Sequence, residues 1–169
     1  MTGSAPPPPP RRSGAVAFGI VAAFLALSCL MLVPITGIVA AIAIPNFMAM
    51  QMKAKRAEVP ANVDAIKTTE LAYDAAFDGF VPCGSRGDAE SMVGKNQHDW
   101  FDDPAAPCFE QLGWQPDGKV RGSYWVTVDA AHHEFTVYGV SDVDGDGQVA
   151  EYRASLTRNA ERVTDEHAY

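Results

Sequence analysis

The sequence predicts an α+β protein: a long hydrophobic N-terminal helix continuing into an amphipathic stem, packed on a small antiparallel β-meander. Three observations carry that prediction. Residues Ser13 to Met52 are 40 consecutive uncharged positions, most of them Ala, Ile, Leu, Val, Phe or Met. Beyond Lys53, apolar residues recur at helical spacing. From residue 119 the pattern changes to short alternating runs rich in β-branched and aromatic residues, separated by turn residues.

The elements follow in order. Residues 1–13, "MTGSAPPPPPRRS", carry five prolines and then two arginines. They read as a disordered Pro-rich, basic tail of extended polyproline character. Residues 14–52 read as a transmembrane helix. As a helix the uncharged run would span roughly 60 Å, about twice the hydrocarbon core of a bilayer. Pro34 and Pro45 predict interruptions, because each removes a backbone donor and crowds the preceding turn. A tight turn at Pro34–Gly37 would instead fold residues 14–33 and 35–52 into a membrane hairpin with both ends on one side. Residues 53–81 read as the stem helix, with Val59, Val63, Ile66, Tyr73, Phe77 and Phe80 on one face. Asp64, Lys67, Thr68, Asp74 and Asp78 occupy the other, and Asp78-Gly79 supplies the stop.

Residues 82–169 form the head. Its first part, 82–118, is rich in Gly, Pro, Asp and Asn and predicts no regular element. Strands are expected over 119–128, 132–140 and 148–157, each preceded by a turn signal.

Charge separates the two ends of the chain. Residues 1–60 hold five Lys/Arg against one Glu, a net of +4; residues 61–169 hold eight against twenty, a net of −12. A head that acidic repels phosphate backbones, so no nucleic acid is expected as a direct ligand. Its acidity favours solubility, divalent cations or basic partners. Of the three cysteines, Cys29 lies in the apolar run. Cys83 and Cys108 lie beside prolines in the polar part and read as a disulfide if the head is periplasmic or surface-exposed, and as reduced thiols in a cytosol.

"GIVAAIAIPNF" (Gly37 to Phe47), an ideal apolar helix interrupted by Pro45, leads into an amphipathic stem and a small antiparallel sheet. In this it resembles the type IV pilins and pseudopilins. The resemblance implies an inner-membrane protein, single-pass, with a cytoplasmic N-terminus and a periplasmic head. It also implies partners: membrane lipid, other pilin-like subunits, and pilus or secretion assembly proteins. In a filament, Gly37, Ala40, Ala41, Ile42, Ile44, Pro45 and Phe47 would pack helix on helix. Counting back from "IPNF" places Ala23 and Phe24 at the family's leader-cleavage point and Ser28 at its usual acidic position. Ala23 stands where a Gly is normal, and Ser28 is not acidic.

The remaining chemistry is sparse. "DVDGDG" places Asp142, Asp144 and Asp146 at alternate positions followed by Gly147, the opening of an EF-hand-type loop for Ca2+. Arg153 stands where that loop would close with a bidentate Glu, and Glu151 could substitute only with a different loop geometry. The competing reading is an acidic hairpin turn. His132 and His133 begin an expected strand and would point to opposite faces, which disfavours a shared metal. "HDWFDDP" (98–104) reads as a solvated acidic loop. No nucleophile elbow, phosphate-cradling loop or zinc spacing is present in the sequence, so enzymatic activity is not expected.

Overall fold

The computed structural model describes residues 13–129, 131, 133–165 and 168. The Pro-rich tail 1–12 and His132 lie outside the described residues. Two compact units divide after Phe47.

Helix α1 (Ser13–Arg56) contains the whole uncharged run. It passes through Pro34 and Pro45 as continuous helix, which corrects both the expected interruptions and the hairpin reading. A proline removes one rung of the hydrogen-bond ladder, but the neighbouring rungs hold the geometry. At Pro34 the turn is reinforced by Thr36, whose hydroxyl donates to Leu32 O (3.0 Å) and Val33 O (2.9 Å). The break falls instead at Ala57, between α1 and α2 (Glu58–Phe77). Pro60 lies in the first turn of α2, where it cannot donate to the Arg56 carbonyl and its ring crowds that group. Arg56 is itself buried, and its guanidinium donates to Ala168 O at 2.7 Å.

The sheet has four antiparallel strands in sequence order: β3 (Gly122–Val128), β4 (Phe135–Ser141), β5 (Ala150–Ser155) and β6 (Arg158–Arg162). The expected three-strand meander is present, and a fourth strand, β6, follows beyond the last expected one, which ended at residue 157. A two-stranded ribbon, β1 (His98–Asp99) with β2 (Lys119–Val120), stands apart from it. The run 119–128 is thus two strands, broken at Arg121. The turn before β4 is held by Asp129, whose Oδ1 accepts from His133 N (2.7 Å) and Glu134 N (2.9 Å). His133 therefore sits in the turn and not in the strand.

Helix α2 crosses one face of this sheet. Val59, Val63 and Ile66 are fully buried against it, with Phe135, Val137, Tyr152 and Ala154 opposite. The buried stripe then continues through Lys67 and Glu70, with Tyr73 partly buried against the core and Phe77 outside it. Phe77 is 69% exposed, its ring tilted against that of Tyr73 with centroids 4.5 Å apart. Lys67 reaches off the stripe to donate to Arg158 O (2.9 Å) and Asn159 Oδ1 (3.0 Å). The helix ends at the expected Asp78-Gly79 stop, with Asp78 itself in the left-handed conformation (φ 60°).

The segment 82–118 is more ordered than its composition indicates. It forms α3 (Arg86–Met92), β1, a 3-10 turn (Trp100–Asp102) and α4 (Ala106–Leu112). Each helix uses a local signal: Ser85 caps α3 by accepting from Asp88 N, and α4 has Pro107 in its first turn and Gly113 (φ 88°) at its end. Trp100, Phe109, Trp114 and Tyr124 form one aromatic cluster, with centroids 5.2–6.0 Å apart. On the opposite sheet face, α3 covers Trp125 and Val140 through Ala89.

Candidate functional site

The first candidate is α1 itself. Its large apolar side chains, from Phe18 to Met50, are exposed, and among the described residues nothing covers them. Gly37, Ala40, Ala41, Ile42, Ile44, Pro45 and Phe47 are all exposed, with Ile42 at 63% and Phe47 at 61%. Ala23, Phe24 and Ser28 are exposed positions within the same uninterrupted helix. Cys29 is a free, exposed cysteine. The helix is long and apolar enough to cross a membrane.

The second is the disulfide. Cys83 and Cys108 are bonded, with Cα atoms 5.6 Å apart, and the bond ties α4 to the strand-like segment at Cys83. Cys83 N and O both pair with Val126, at 3.2 Å and 2.7 Å, so the disulfide fixes α4 to the edge of β3.

The third is the loop between β4 and β5. One ligand oxygen each from Asp142, Asp144 and Asp146 lie within 4.8 Å of one another. The loop is built by backbone bonds to the same carboxylates. Asp142 Oδ1 accepts from Gly145 N (2.8 Å) and its Oδ2 from Gly147 N (3.1 Å), while Asp146 Oδ1 accepts from Gln148 N (2.7 Å). Gly145 (φ 77°) and Gly147 (φ 85°) occupy left-handed conformations that side chains resist. Burial pushes the Asp144 carboxyl above its ordinary value, and the neighbouring Asp146 and Asp142 charges add to this. Like charges held this close favour a cation between them. Glu151 is not brought in: it lies on β5, where its Oε2 accepts from Arg86 Nη2 at 2.7 Å. Arg153 pairs with Glu161 at 2.9 Å. The set is therefore three carboxylates, fewer than the six to eight oxygens Ca2+ takes, leaving carbonyls and water to complete it.

Three polar features had no clear signal in the sequence. Asp103, read as part of a solvated loop, is 1% exposed. Its Oδ2 accepts from Ser123 Oγ at 2.5 Å and its Oδ1 from Ala105 N at 2.9 Å. His98 Nε2 stands 3.8 Å away, at ion-pair and not hydrogen-bond distance. Burial would push the Asp103 carboxyl up, but His98, the Ser123 hydroxyl and the Ala105 N–H outweigh it and hold the group below its ordinary value. Ser123 is fully buried beside it. Arg86 joins α3 to the sheet: it pairs with Glu90 and Glu151 and lies over the Trp125 ring, 5.9 Å from its centroid. Glu70 is buried in α2 at a position that helical periodicity alone would have assigned to the core stripe.

No protein-family model, curated protein or solved structure matches this chain. What the molecule defines by itself is a class: an α+β head with a disulfide, and a helix able to cross a membrane.

Proposed function

We propose that the chain is a type IV pilin-like structural subunit or minor pilin, anchored in the inner membrane by α1 with its head in the periplasm or at the cell surface. The observation that carries this reading is the exposed apolar surface of a 44-residue helix. At about 1.5 Å per residue such a helix is about 66 Å long, roughly twice what a bilayer covers. The surplus is explained if α1 serves lipid before assembly and neighbouring copies after it. The Pro45 neighbourhood, Gly37 to Phe47, would then form the helix-packing surface. A helix crossing one sheet face and a disulfide suited to an oxidising compartment support the same assignment. The acidic loop would hold Ca2+ as a structural ion of the head.

Ser28 favours a second reading, a membrane-tethered periplasmic module that keeps this fold without polymerising. Where assembly would use a buried carboxylate to meet a neighbour's amine, a hydroxyl supplies no charge.

The N-terminus of the protein recovered from cells separates the two. A mature chain beginning at Phe24 and present in sheared filaments is the expected result. Intact residues 1–23, with protein in the membrane fraction only, would overturn the filament reading in favour of the tethered module.

A further inference from the structure

Glu70 is the one carboxylate of α2 that is fully buried. Its Oε2 accepts from Val81 N at 3.1 Å, and its Oε1 has no partner. That single bond links α2 to the segment between Asp78 and Cys83. Beside it, Phe80 is 7% exposed and packs on Phe135 with centroids 4.5 Å apart. The far end of the segment is fixed independently by the Cys83–Cys108 disulfide and the Cys83–Val126 pairing.

We propose that Glu70 is a protonation-sensitive latch that holds Phe80–Val81 against α2 when neutral and releases them when ionised. The reason is the asymmetry of the site. A neutral carboxyl leaves one oxygen unsatisfied; a carboxylate in the same place leaves a buried charge with one backbone donor.

No surrounding group compensates that charge among the described residues. On α2 itself Lys67 is committed to Arg158 O and Asn159 Oδ1, and Asp74 is acidic. The latch segment brings only Asp78, and α4 only Glu110. From β6, Arg158 pairs with Glu161, while Arg162 donates to Asp165 O and Ala168 O. Tyr124, Tyr152 and Tyr73 are the titratable groups that β3, β5 and the helix add on this side, and His133 lies near Phe80 in the turn before β4. None of these hydrogen-bonds Glu70. Burial accordingly pushes the Glu70 carboxyl up to about 7 from 4.5, opposed only by the Val81 N–H. A group whose proton is held more tightly in the closed form favours closure at low pH. That advantage is complete below about 4.5 and is lost as pH rises through about 7.

The test is backbone hydrogen exchange of the full chain in detergent micelles, corrected for the intrinsic pH dependence of exchange. With an open-state value of 4.5 and a closed-state value of about 7, protection at Val81 falls about 30-fold between pH 5.5 and 8.5. Glu70→Gln removes the fall. An unchanged wild type, or the same fall in Glu70→Gln, would overturn the latch. Should the variant not fold, a carbon-13 titration of the Glu70 carboxyl in the wild-type chain decides. A midpoint near 7 supports the latch; one in the ordinary carboxylate range rules it out.

Discussion

Gly139 is where the fit between α2 and the sheet is tightest, and replacing it by alanine tests the packing described above. Gly139 lies on β4 between Tyr124 and Tyr152 in register. A Cβ built there would stand 2.7 Å from Val63 Cγ2, 2.8 Å from Val59 Cγ1 and 2.9 Å from Tyr124 Cδ1. Carbon atoms prefer about 3.5–4.0 Å, so all three neighbours must yield at once. Two belong to a helix whose own position is fixed by Ile66 and Val63, each fully buried. Overpacking of this kind costs about 1–3 kcal/mol. Gly139 is not in a left-handed conformation, so alanine recovers about 0.4–1 kcal/mol by narrowing the unfolded ensemble. The net expectation is a loss of about 1.3 kcal/mol, or roughly 5 °C in Tm for a unit of this size. Guanidinium unfolding of the full chain in detergent measures it, since Trp100, Trp114 and Trp125 are all buried and report on the head. Val63→Ala should cost about 2 kcal/mol alone. Combined with Gly139→Ala it should cost about 1 kcal/mol less than the sum, because the closest clash is gone. A neutral or stabilising Gly139→Ala, or strictly additive pairs, would refute the account of how α2 is seated.

Three further outcomes follow from named contacts. Reducing Cys83–Cys108, which closes a separation of 25 residues, should destabilise the head by about 3 kcal/mol in thermal unfolding; an unchanged Tm would mean the edge of β3 holds α4 unaided. Millimolar Ca2+ should raise the Tm, and Asp144→Ala should abolish the rise; a Tm indifferent to Ca2+ in the wild type would retire the cation loop. Ser123→Ala removes the bond to buried Asp103 and should cost about 1–3 kcal/mol at neutral pH. Because Asp103 is held below its ordinary value, its contribution is present above the carboxylate range and lost as pH falls through the lowered value. The variant should therefore unfold at a higher pH on acidification, and coincident acid transitions would contradict that bond's role.

How much of this was legible in the sequence depended on whether the signal was local and periodic. Composition located the uncharged run, and a fixed period located the start of the α2 stripe and the β-meander. Glu70 and Lys67 sit at core positions of that same stripe, yet Lys67 was expected on the opposite face and Glu70 was assigned to neither. Only the three-dimensional partners explain their burial: Val81 N for one, and Arg158 O with Asn159 for the other. Phe77 fails in the converse way: it is apolar and at helical spacing from Tyr73, yet 69% exposed. The short helices α3 and α4 carried legible caps at Ser85 and Gly113, but at seven residues each they are too short for periodicity to register. Asp103 had no sequence signal that distinguished it from Asp99 or Asp102. What selects it is Ser123, 20 residues away on β3.

The prolines of α1 invite a physical conclusion about the setting in which this helix is stable. Pro34 and Pro45 leave the carbonyls of Leu30 and Ala41 without their usual donors, and α1 nevertheless runs unbroken from Ser13 to Arg56. In water those carbonyls would be hydrated at no cost, but the exposed Leu, Ile, Val and Phe side chains around them would not be. In hydrocarbon the side chains are satisfied and the two carbonyls are not. Neither solvent suits the whole helix. Thr36 donates to the neighbouring carbonyls of Leu32 and Val33, not to that of Leu30, so a donor from outside the helix is what would satisfy the carbonyl that Pro34 leaves open. Around Pro45 the stretch Gly37 to Phe47 is apolar apart from Asn46, the one side chain there with a hydrogen-bond donor. On the proposed filament reading, a partner helix at Pro45 would cover apolar side chains and would have to bring a donor for the Ala41 carbonyl.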